Sequence, residues 1–165
     1  MTAEAQLREL FARQLADMAV IERRLVELLS GLESATRDPE LRDAFTHHLD
    51  ETRRHVERLD DALSTLAAPA RQGDGSVVDA VRDAGEGAEL PEGLGDLERA
   101  GAAIRLEHLE IALYEGLIAK AEGLEEHAVT ALLWENLNDE KEALSAAHTI
   151  CERLVSTLGP GSAMA

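Results

Sequence analysis

One stretch in the second half of the chain decides the fold: Leu106-Glu107-His108-Leu109-Glu110-Ile111-Ala112-Leu113-Tyr114. Its apolar residues recur at the spacing of an α-helix. At about 100° per residue, Glu107 projects from the same side of that helix as Ile104 and Ile111, and Glu110 lies about 60° to one side. A carboxylate in an apolar stripe is costly to bury unless it is paired or bound to a metal. The stretch predicts a long helix with acids on its inner face, and its meaning depends on whether other helices repeat the pattern.

Composition indicates the fold class. The chain has 165 residues, which is enough for one domain with a sizeable core. Hydrophobic residues make up 45% of it and are mostly Ala, Leu and Val, whereas aromatic residues make up only 2%. This mixture favours helix and argues against an all-β fold. We therefore predict an all-α protein with a single domain over residues 1–165.

Charge and hydropathy argue against several classes of function. Sixteen Lys and Arg against 33 Asp and Glu give a net charge of −17. Such a surface repels phosphate backbones and anionic lipids, so we expect no direct binding to nucleic acid or to a membrane. The first residues lack a signal-peptide pattern, and no apolar run approaches the length of a membrane span. We expect a soluble, cytoplasmic protein in which the single cysteine, Cys151, is a small core residue.

Helical periodicity and capping residues predict four long helices, at about residues 3–34, 38–66, 96–122 and 125–158. Thr2 is a suitable N-cap for the first helix. Asp38 followed by Pro39 marks the start of the second helix, because proline is favoured at the first helical position.

A connection rich in glycine separates the second and third helices at about residues 68–95. Within it, Ser76 and Asp79 can cap a short helix that ends near Asp83. The connection is longer than a hairpin needs, so it can carry the chain back along the bundle and let the third helix start where the second began. The predicted fold is an antiparallel four-helix bundle with a long crossover that contains a short helix.

Each of the four long helices points at least one acid inward near its middle. These acids are Glu22, Glu51, Glu107 with Glu110, and Glu140. Carboxylates gathered at one level repel one another and resist ionising unless cations neutralise them. Dinuclear carboxylate centres in four-helix bundles follow this logic, with one Glu from each of two helices and a Glu-x-x-His from each of the other two.

The histidines fit that pattern only in part. His55 follows Glu51 at i+4 rather than i+3, although both spacings share a face of the helix. His48, three residues before Glu51, is a rival ligand, and the choice between His48 and His55 stays open. The fourth helix has no histidine at either spacing after its acid, so Glu110 can compensate as a second carboxylate from the third helix.

Several stretches resemble the YciE/YciF family of ferritin-like proteins: Leu7-Arg8-Glu9-Leu10-Phe11, Ile21-Glu22, His48–Leu59, Leu106–Ala112 and Asp139-Glu140-Lys141. The resemblance covers roughly residues 5–155. It implies a ferritin-like bundle, usually dimeric, with a buried dimetal site and a part in stress response. Carried over by position, the family's acids are Glu22, Glu51, Glu107, Glu110 and Glu140. The chain departs from the family's pattern at Leu144, where relatives tend to have an acid, and this departure bears on the second metal.

The candidate metal ligands are Glu22, Glu51, His55, Glu107, Glu110 and Glu140. Oxygen donors with imidazole suit two metal ions, with iron as the first choice and manganese or zinc as alternatives. The leading hypothesis is a protein that acts on O₂ or H₂O₂ in stress response, as a ferroxidase or a peroxide-handling oxidoreductase. The alternative is a non-catalytic helical dimer that acts as a structural or partner-binding stress protein.

Two further features bear on partners and chemistry. The third helix carries a second apolar strip, which we predict is buried by a second subunit in a homodimer or covered by the crossover: Leu106, Leu109, Leu113 and Leu117. Tyr114 lies on the same face as Glu107. It is either an ordinary core residue or a hydrogen-bond donor or redox neighbour beside the metal ligands.

Overall fold

The computed structural model describes residues 2–66 and 94–158. Within these ranges the chain forms four α-helices and no strand: α1 (Ala3–Ala35), α2 (Pro39–Thr65), α3 (Gly95–Gly123) and α4 (His127–Leu158). The predicted all-α class and the four long helices are confirmed. The short helix predicted at 76–83 lies outside the described residues, as does most of the predicted crossover. No helix in the two ranges is both long and apolar enough to cross a bilayer.

Side chains cap the first two helices as the sequence predicts. Thr2 accepts a hydrogen bond from the backbone N–H of Ala5 at 3.2 Å, and Asp38 accepts one from that of Leu41 at 2.9 Å. Each bond satisfies an N–H group that has no partner within its own helix. The fourth helix begins two residues later than predicted, because Glu125 adopts a left-handed conformation with a φ of 59° in the preceding turn.

Contacts at the two ends of the bundle fix the helix directions. At one end, the backbone N–H groups of Arg37 and Asp38 donate to the carboxylate of Asp96 at 3.2 and 2.8 Å, so α3 begins beside the start of α2. At the other end, Arg8 of α1 forms an ion pair with Glu126, just before α4. The packed pairs are α1 with α2, α3 with α4, α2 with α4 and α1 with α3, and each is antiparallel. Helix α2 ends and α3 begins at opposite ends of the bundle, which is the arrangement the predicted crossover requires.

The apolar core has two parts with a polar layer between them. One part includes Phe11, Leu15, Leu59, Leu133 and Leu137, and the other includes Leu29, Leu41, Phe45, Ile150 and Leu154. On α2 and α4, the polar layer lies between the residues that supply the two parts. Packed apolar layers above and below hold the helices at fixed distances, so side chains in the polar layer are held in place from both sides.

Burial divides the leucine strip that is predicted to face a second subunit. Leu106 and Leu117 are 1% and 3% exposed and pack into the chain's own core. Leu109 and Leu113 are half-buried at the edge of that core. Half of the strip is therefore covered within one chain, and the homodimer stays a prediction.

Candidate metal centre

The polar layer brings together four carboxylates and two imidazoles from all four helices. All six side chains are buried: Glu22, His48, His55, Glu107, Glu110 and Glu140. Each acid occupies a position where helical periodicity expects an apolar residue, so the helix itself directs the acid into the core. Five of the six predicted ligands lie in this layer, and the sixth, Glu51, lies at its edge.

The six side chains form two groups that are each able to hold a metal ion. One group contains His48, Glu107, Glu110 and Glu140, and the other contains Glu22, His55 and Glu140. Within a group, one ligand atom from each residue lies within 4.8 Å of the others. Glu140 belongs to both groups, so the geometry is that of two adjacent sites that share a carboxylate. Both histidines that the sequence left as rivals are present, one in each group.

Several atoms in the layer approach one another without forming hydrogen bonds. Nδ1 of His55 lies 2.9 Å from Oε1 of Glu140 and 3.3 Å from Oε1 of Glu22. Neither contact has the geometry of a hydrogen bond. Both oxygens of Glu110 also lack a hydrogen-bond partner among the described residues. Atoms bound to one ion at about 2.1 Å lie about 3 Å apart. The side chains thus converge as ligand atoms do, and the donor set fits a metal.

His55 is held from behind by a second set of side chains. Its Nε2 lies 3.2 Å from Oδ2 of Asp139, and Arg58 donates to the same oxygen and to Asn136 at 3.0 Å each. Burial opposes ionisation of Asp139, but its bonds to Arg58 and His55 outweigh burial and lower the pKa of the carboxyl group. An ionised Asp139 accepts a hydrogen from Nε2, which leaves Nδ1 directed at the carboxylates.

Tyr114 is a hydrogen-bond donor to the layer. Its hydroxyl donates to Oε1 of Glu22 and accepts a hydrogen bond from the Asn136 amide at 2.9 Å. Burial raises the pKa of Tyr114 well above its ordinary value, and the charge of Glu22 adds to the rise. The hydroxyl therefore keeps its proton and holds one Glu22 oxygen in a fixed orientation. The structure favours the donor interpretation of Tyr114 over that of an ordinary core residue.

His48 links the layer to Glu51 at its edge. Its Nε2 lies 3.2 Å from Glu107 and 3.5 Å from Glu140, and its Nδ1 lies 3.4 Å from Glu51. The other oxygen of Glu51 lies 3.1 Å from the exposed His47. Glu51 therefore belongs to neither metal-capable group, and it contacts the ring of His48 from outside.

Burial and nearby charges determine where the layer holds protons. Burial raises the pKa values of Glu110 and Glu140 well above those of an ordinary glutamate, and neighbouring carboxylates add to the rise. Burial also opposes ionisation of Glu107, but the charge of His48 and a hydrogen bond from it outweigh burial and lower the pKa of Glu107. Burial likewise opposes the charged form of His48, but Glu107 outweighs it and raises the pKa of His48 well above its ordinary value. The metal-free layer thus carries protons that a bound metal would displace.

Comparison with known proteins identifies the family. A family model described as a domain of unknown function, DUF892, matches residues 6–157. The chain belongs to this family. Protein YciF of Escherichia coli (strain K12) is 30% identical to it over 143 residues, which cover 82% of this chain and 84% of YciF. The resemblance to the YciE/YciF family seen in the sequence is confirmed.

Solved structures have the same fold as this DUF892 chain. The crystal structure of the E. coli stress protein YciF matches it with a TM-score of 0.82 and 26% identity, over 91% of this chain and 97% of that one. YcfI of Rhodopseudomonas palustris, provisionally described as a structural protein, matches with a TM-score of 0.73 and 31% identity, over 87% and 93%. A protein of Xanthomonas campestris pv. campestris matches with a TM-score of 0.75 over 92% and 95%, and its 21% identity shows the fold alone.

Sequence reasoning missed the residues that support His55. Asp139 and Arg58 are polar residues on helices that are rich in polar residues, and their contact joins α2 to α4 across 81 positions of sequence. One signal was present, because Asp139 directly precedes a predicted ligand. Helical spacing alone does not place Asp139 beside the ligands, because adjacent residues of a helix point about 100° apart.

Proposed function

We propose that this chain is a dinuclear metal carboxylate protein that holds two iron ions and acts on O₂ or peroxide. The observation that carries the proposal is the pair of metal-capable groups joined at Glu140, which is 0% exposed. A carboxylate in two such groups is suited to bridge two ions. Glu22 and His55 would complete one ion's ligand set, and the other group's remaining members would complete the second.

Charge balance favours two ions. The groups contain four carboxylates, Glu22, Glu107, Glu110 and Glu140, which carry four negative charges when all are ionised. Two divalent ions carry four positive charges and leave the layer neutral while both histidines remain neutral ligands. One divalent ion would leave two buried negative charges, and burying uncompensated charge is costly. A metal-free layer must instead keep protons, as the raised pKa values of Glu110, Glu140 and His48 indicate.

The donor types select among metals. Carboxylate oxygens with one imidazole for each ion suit iron, and they also suit manganese or zinc. Iron in such a centre would supply one-electron oxidation and reduction toward O₂ or H₂O₂. The chain's own residues keep the ligands in position: Tyr114, whose hydroxyl accepts a hydrogen bond from Asn136, donates to Glu22, and Asp139 contacts His55. The E. coli relative is described as a stress protein, and we propose that this chain, as a homodimer, has a related role.

Metal content tests this proposal. Protein purified without chelators or a metal-affinity tag should contain close to two ions for each chain, located by anomalous scattering in a crystal. Glu140→Gln should remove both ions because the carboxylate is shared, whereas Glu22→Gln should weaken one ion more than the other. Glu152→Gln, an exposed acid on the same helix, is the matched control and should retain both. Protein that binds no transition metal on titration, or that loses metal equally in the Glu152→Gln control, would contradict the proposal.

A non-catalytic helical protein is the second candidate function. The observation that favours it is that His48 and His55 contact carboxylates on three helices, so protons and ion pairs can also hold the layer together. YcfI, a relative by structure, is provisionally described as structural. In this case chelators should leave the melting temperature of the purified protein unchanged, and the loaded protein should oxidise Fe(II) no faster than buffer does.

A further inference from the structure

A cleft leads from the protein surface to the polar layer. It has a volume of about 220 Å³ and lies where α2 and α4 pack over α3. His47 and Glu142, both exposed, lie at its outer side, and His48 and Glu107, both buried, lie at its inner end. A second cavity of about 270 Å³ contacts Met18 and Leu117, and its lining includes no member of either metal-capable group. Of these two cavities, only the first reaches the candidate metal centre.

Small side chains keep this cleft open. Helix α4 contributes Ala143, Ala146 and Ala147, and Ala44 faces them from α2. Alanine projects a single methyl group, so the helices leave space here that leucine would fill. The cleft exceeds the ~150 Å³ of an engineered apolar cavity that binds benzene. It therefore has room for a ring or a short branched chain that carries a polar group.

The chemistry of the walls changes along the cleft. Leu41, Phe45 and the alanines give its middle an apolar lining. At the inner end, Oε2 of Glu107 has no hydrogen-bond partner among the described residues, although the side chain is only 4% exposed. A buried polar atom without a partner costs free energy, and a ligand hydroxyl would satisfy it. Three acids line the cleft, Glu51, Glu107 and Glu142, and they oppose the binding of an anionic ligand.

We propose that this cleft binds a compact neutral organic molecule, with an apolar body against the alanines and a hydroxyl or hydroperoxyl head group that donates a hydrogen bond to Glu107. The proposal builds on the dimetal function, because the head group would lie beside the metal ligands. An organic hydroperoxide would then be a substrate class for a centre that held two Fe(II) ions: cleavage of its O–O bond takes one electron from each ion, and ROOH + 2 Fe(II) + 2 H⁺ gives ROH + H₂O + 2 Fe(III). Binding of the organic body depends on the shape of the cleft and requires no metal, so the two proposals can fail separately.

Binding of benzyl alcohol to the metal-free protein tests the cleft. Benzoate, which has a similar size but carries a negative charge, is the comparison probe. In a titration followed by two-dimensional NMR, benzyl alcohol should shift the signals of residues that line the cleft. Benzoate should bind at least roughly tenfold more weakly, because its negative charge meets the three acids that line the cleft. Ala143→Leu should weaken benzyl alcohol binding roughly tenfold or more because the added side chain fills the cleft. Ala131→Leu, the same change at an exposed position of α4, should leave binding unchanged.

Other outcomes would overturn the proposal. Equal binding of the alcohol and benzoate, or unchanged alcohol binding in Ala143→Leu, would show that the cleft does not select such molecules. If Ala143→Leu fails to fold, Ala44→Leu places the same blocking group on the opposite wall and should weaken alcohol binding in the same way. If the Ala143→Leu variant binds metal more slowly but still binds the alcohol, the cleft is a path by which ions enter, and the proposal is refuted. Metal binding at equilibrium should be the same in wild type and Ala143→Leu, whether or not the alcohol binds.

Discussion

Replacement of Glu110 by leucine should stabilise the metal-free protein and remove its response to metal. Glu110 is 1% exposed, and both of its carboxylate oxygens lack a hydrogen-bond partner among residues 2–66 and 94–158. Burial and the charges of Glu140 and Glu22 raise the pKa of Glu110 well above its ordinary value. The metal-free protein thus buries an acid that makes no hydrogen bond, whereas a metal would use it as a ligand.

The expected magnitude follows from that burial. An unsatisfied buried polar group costs about 1–3 kcal/mol, and leucine at this position removes that cost. For a chain of this size, 1 kcal/mol corresponds to a change in melting temperature of about 2–4 °C. The metal-free Glu110→Leu variant should therefore melt about 2–12 °C above wild type. Wild type with free metal at 100 times its Kd should gain about 2.7 kcal/mol for one site, and the variant should lose much of this gain.

The assay is a thermal melt followed by circular dichroism, with wild type and variant measured in chelator and in excess Mn(II) or anaerobic Fe(II). Glu110→Gln is the matched control, because it keeps the shape and removes the charge. It should lose the response to metal without the gain in stability, since the amide is also left unsatisfied. A Glu110→Leu variant that melts below wild type in chelator, yet keeps the full increase with metal, would refute the reasoning for Glu110.

Three further predictions concern pH, the support of His55 and assembly. Folding raises the pKa values of Glu110 and Glu140, so the folded metal-free protein binds more protons than the unfolded chain. These bound protons stabilise the fold in full below about pH 4, and the stabilisation is lost as pH rises through the raised pKa values. The lowered pKa values of Glu107 and Asp139 act in the opposite direction, but only below about pH 4. The raised pKa of His48 adds to the loss of stability above about pH 6.5. The melting temperature in chelator should therefore fall as pH rises above about 5, while the increase caused by metal grows; a melting temperature in chelator that rises over that range would contradict this. Asp139→Asn should weaken metal binding by about 10–100-fold in a competition titration, because it no longer fixes the ring of His55; an affinity equal to wild type would contradict this. Light scattering at micromolar concentration should give twice the mass of one chain, and a mass of 17.9 kDa would rule out the homodimer.

The fold could be predicted from the sequence because its main signals are local. Thr2 and Asp38 cap helices through contacts with residues three positions later, and periodicity along each helix gives its buried face. The helix directions followed from one non-local inference, the length of the connection between the second and third helices. The start of α4 was less accurate, because the left-handed conformation of Glu125 is one that a residue other than glycine adopts only occasionally.

The site was predictable up to the point where helices meet. Periodicity alone put Glu22, Glu107, Glu110 and Glu140 on inner faces, and each of them is buried. It also put Glu51 inward, and Glu51 is 5% exposed, but a buried residue at the edge of a helical face can stop short of the centre of the layer. One oxygen of Glu51 contacts the ring of His48, and the other lies near the exposed His47. Helix rotation and side-chain rotamers decide such cases, and neither is encoded in spacing along one helix.

Position 144 shows how the donor set is built across helices. The sequence raised the concern that a second metal would be short of an acid, since the family resemblance implies an acid at the position of Leu144, one turn after Glu140. The second group does not draw on that position: it takes His48 from α2, whose Nε2 lies 3.5 Å from Glu140, and two acids from α3. The imidazole reaches the shared carboxylate from the neighbouring helix, so this group has four residues that could hold an ion without one from position 144. If both histidines were neutral ligands, the four carboxylates of the two groups would carry four negative charges when ionised, the number that two divalent ions would balance.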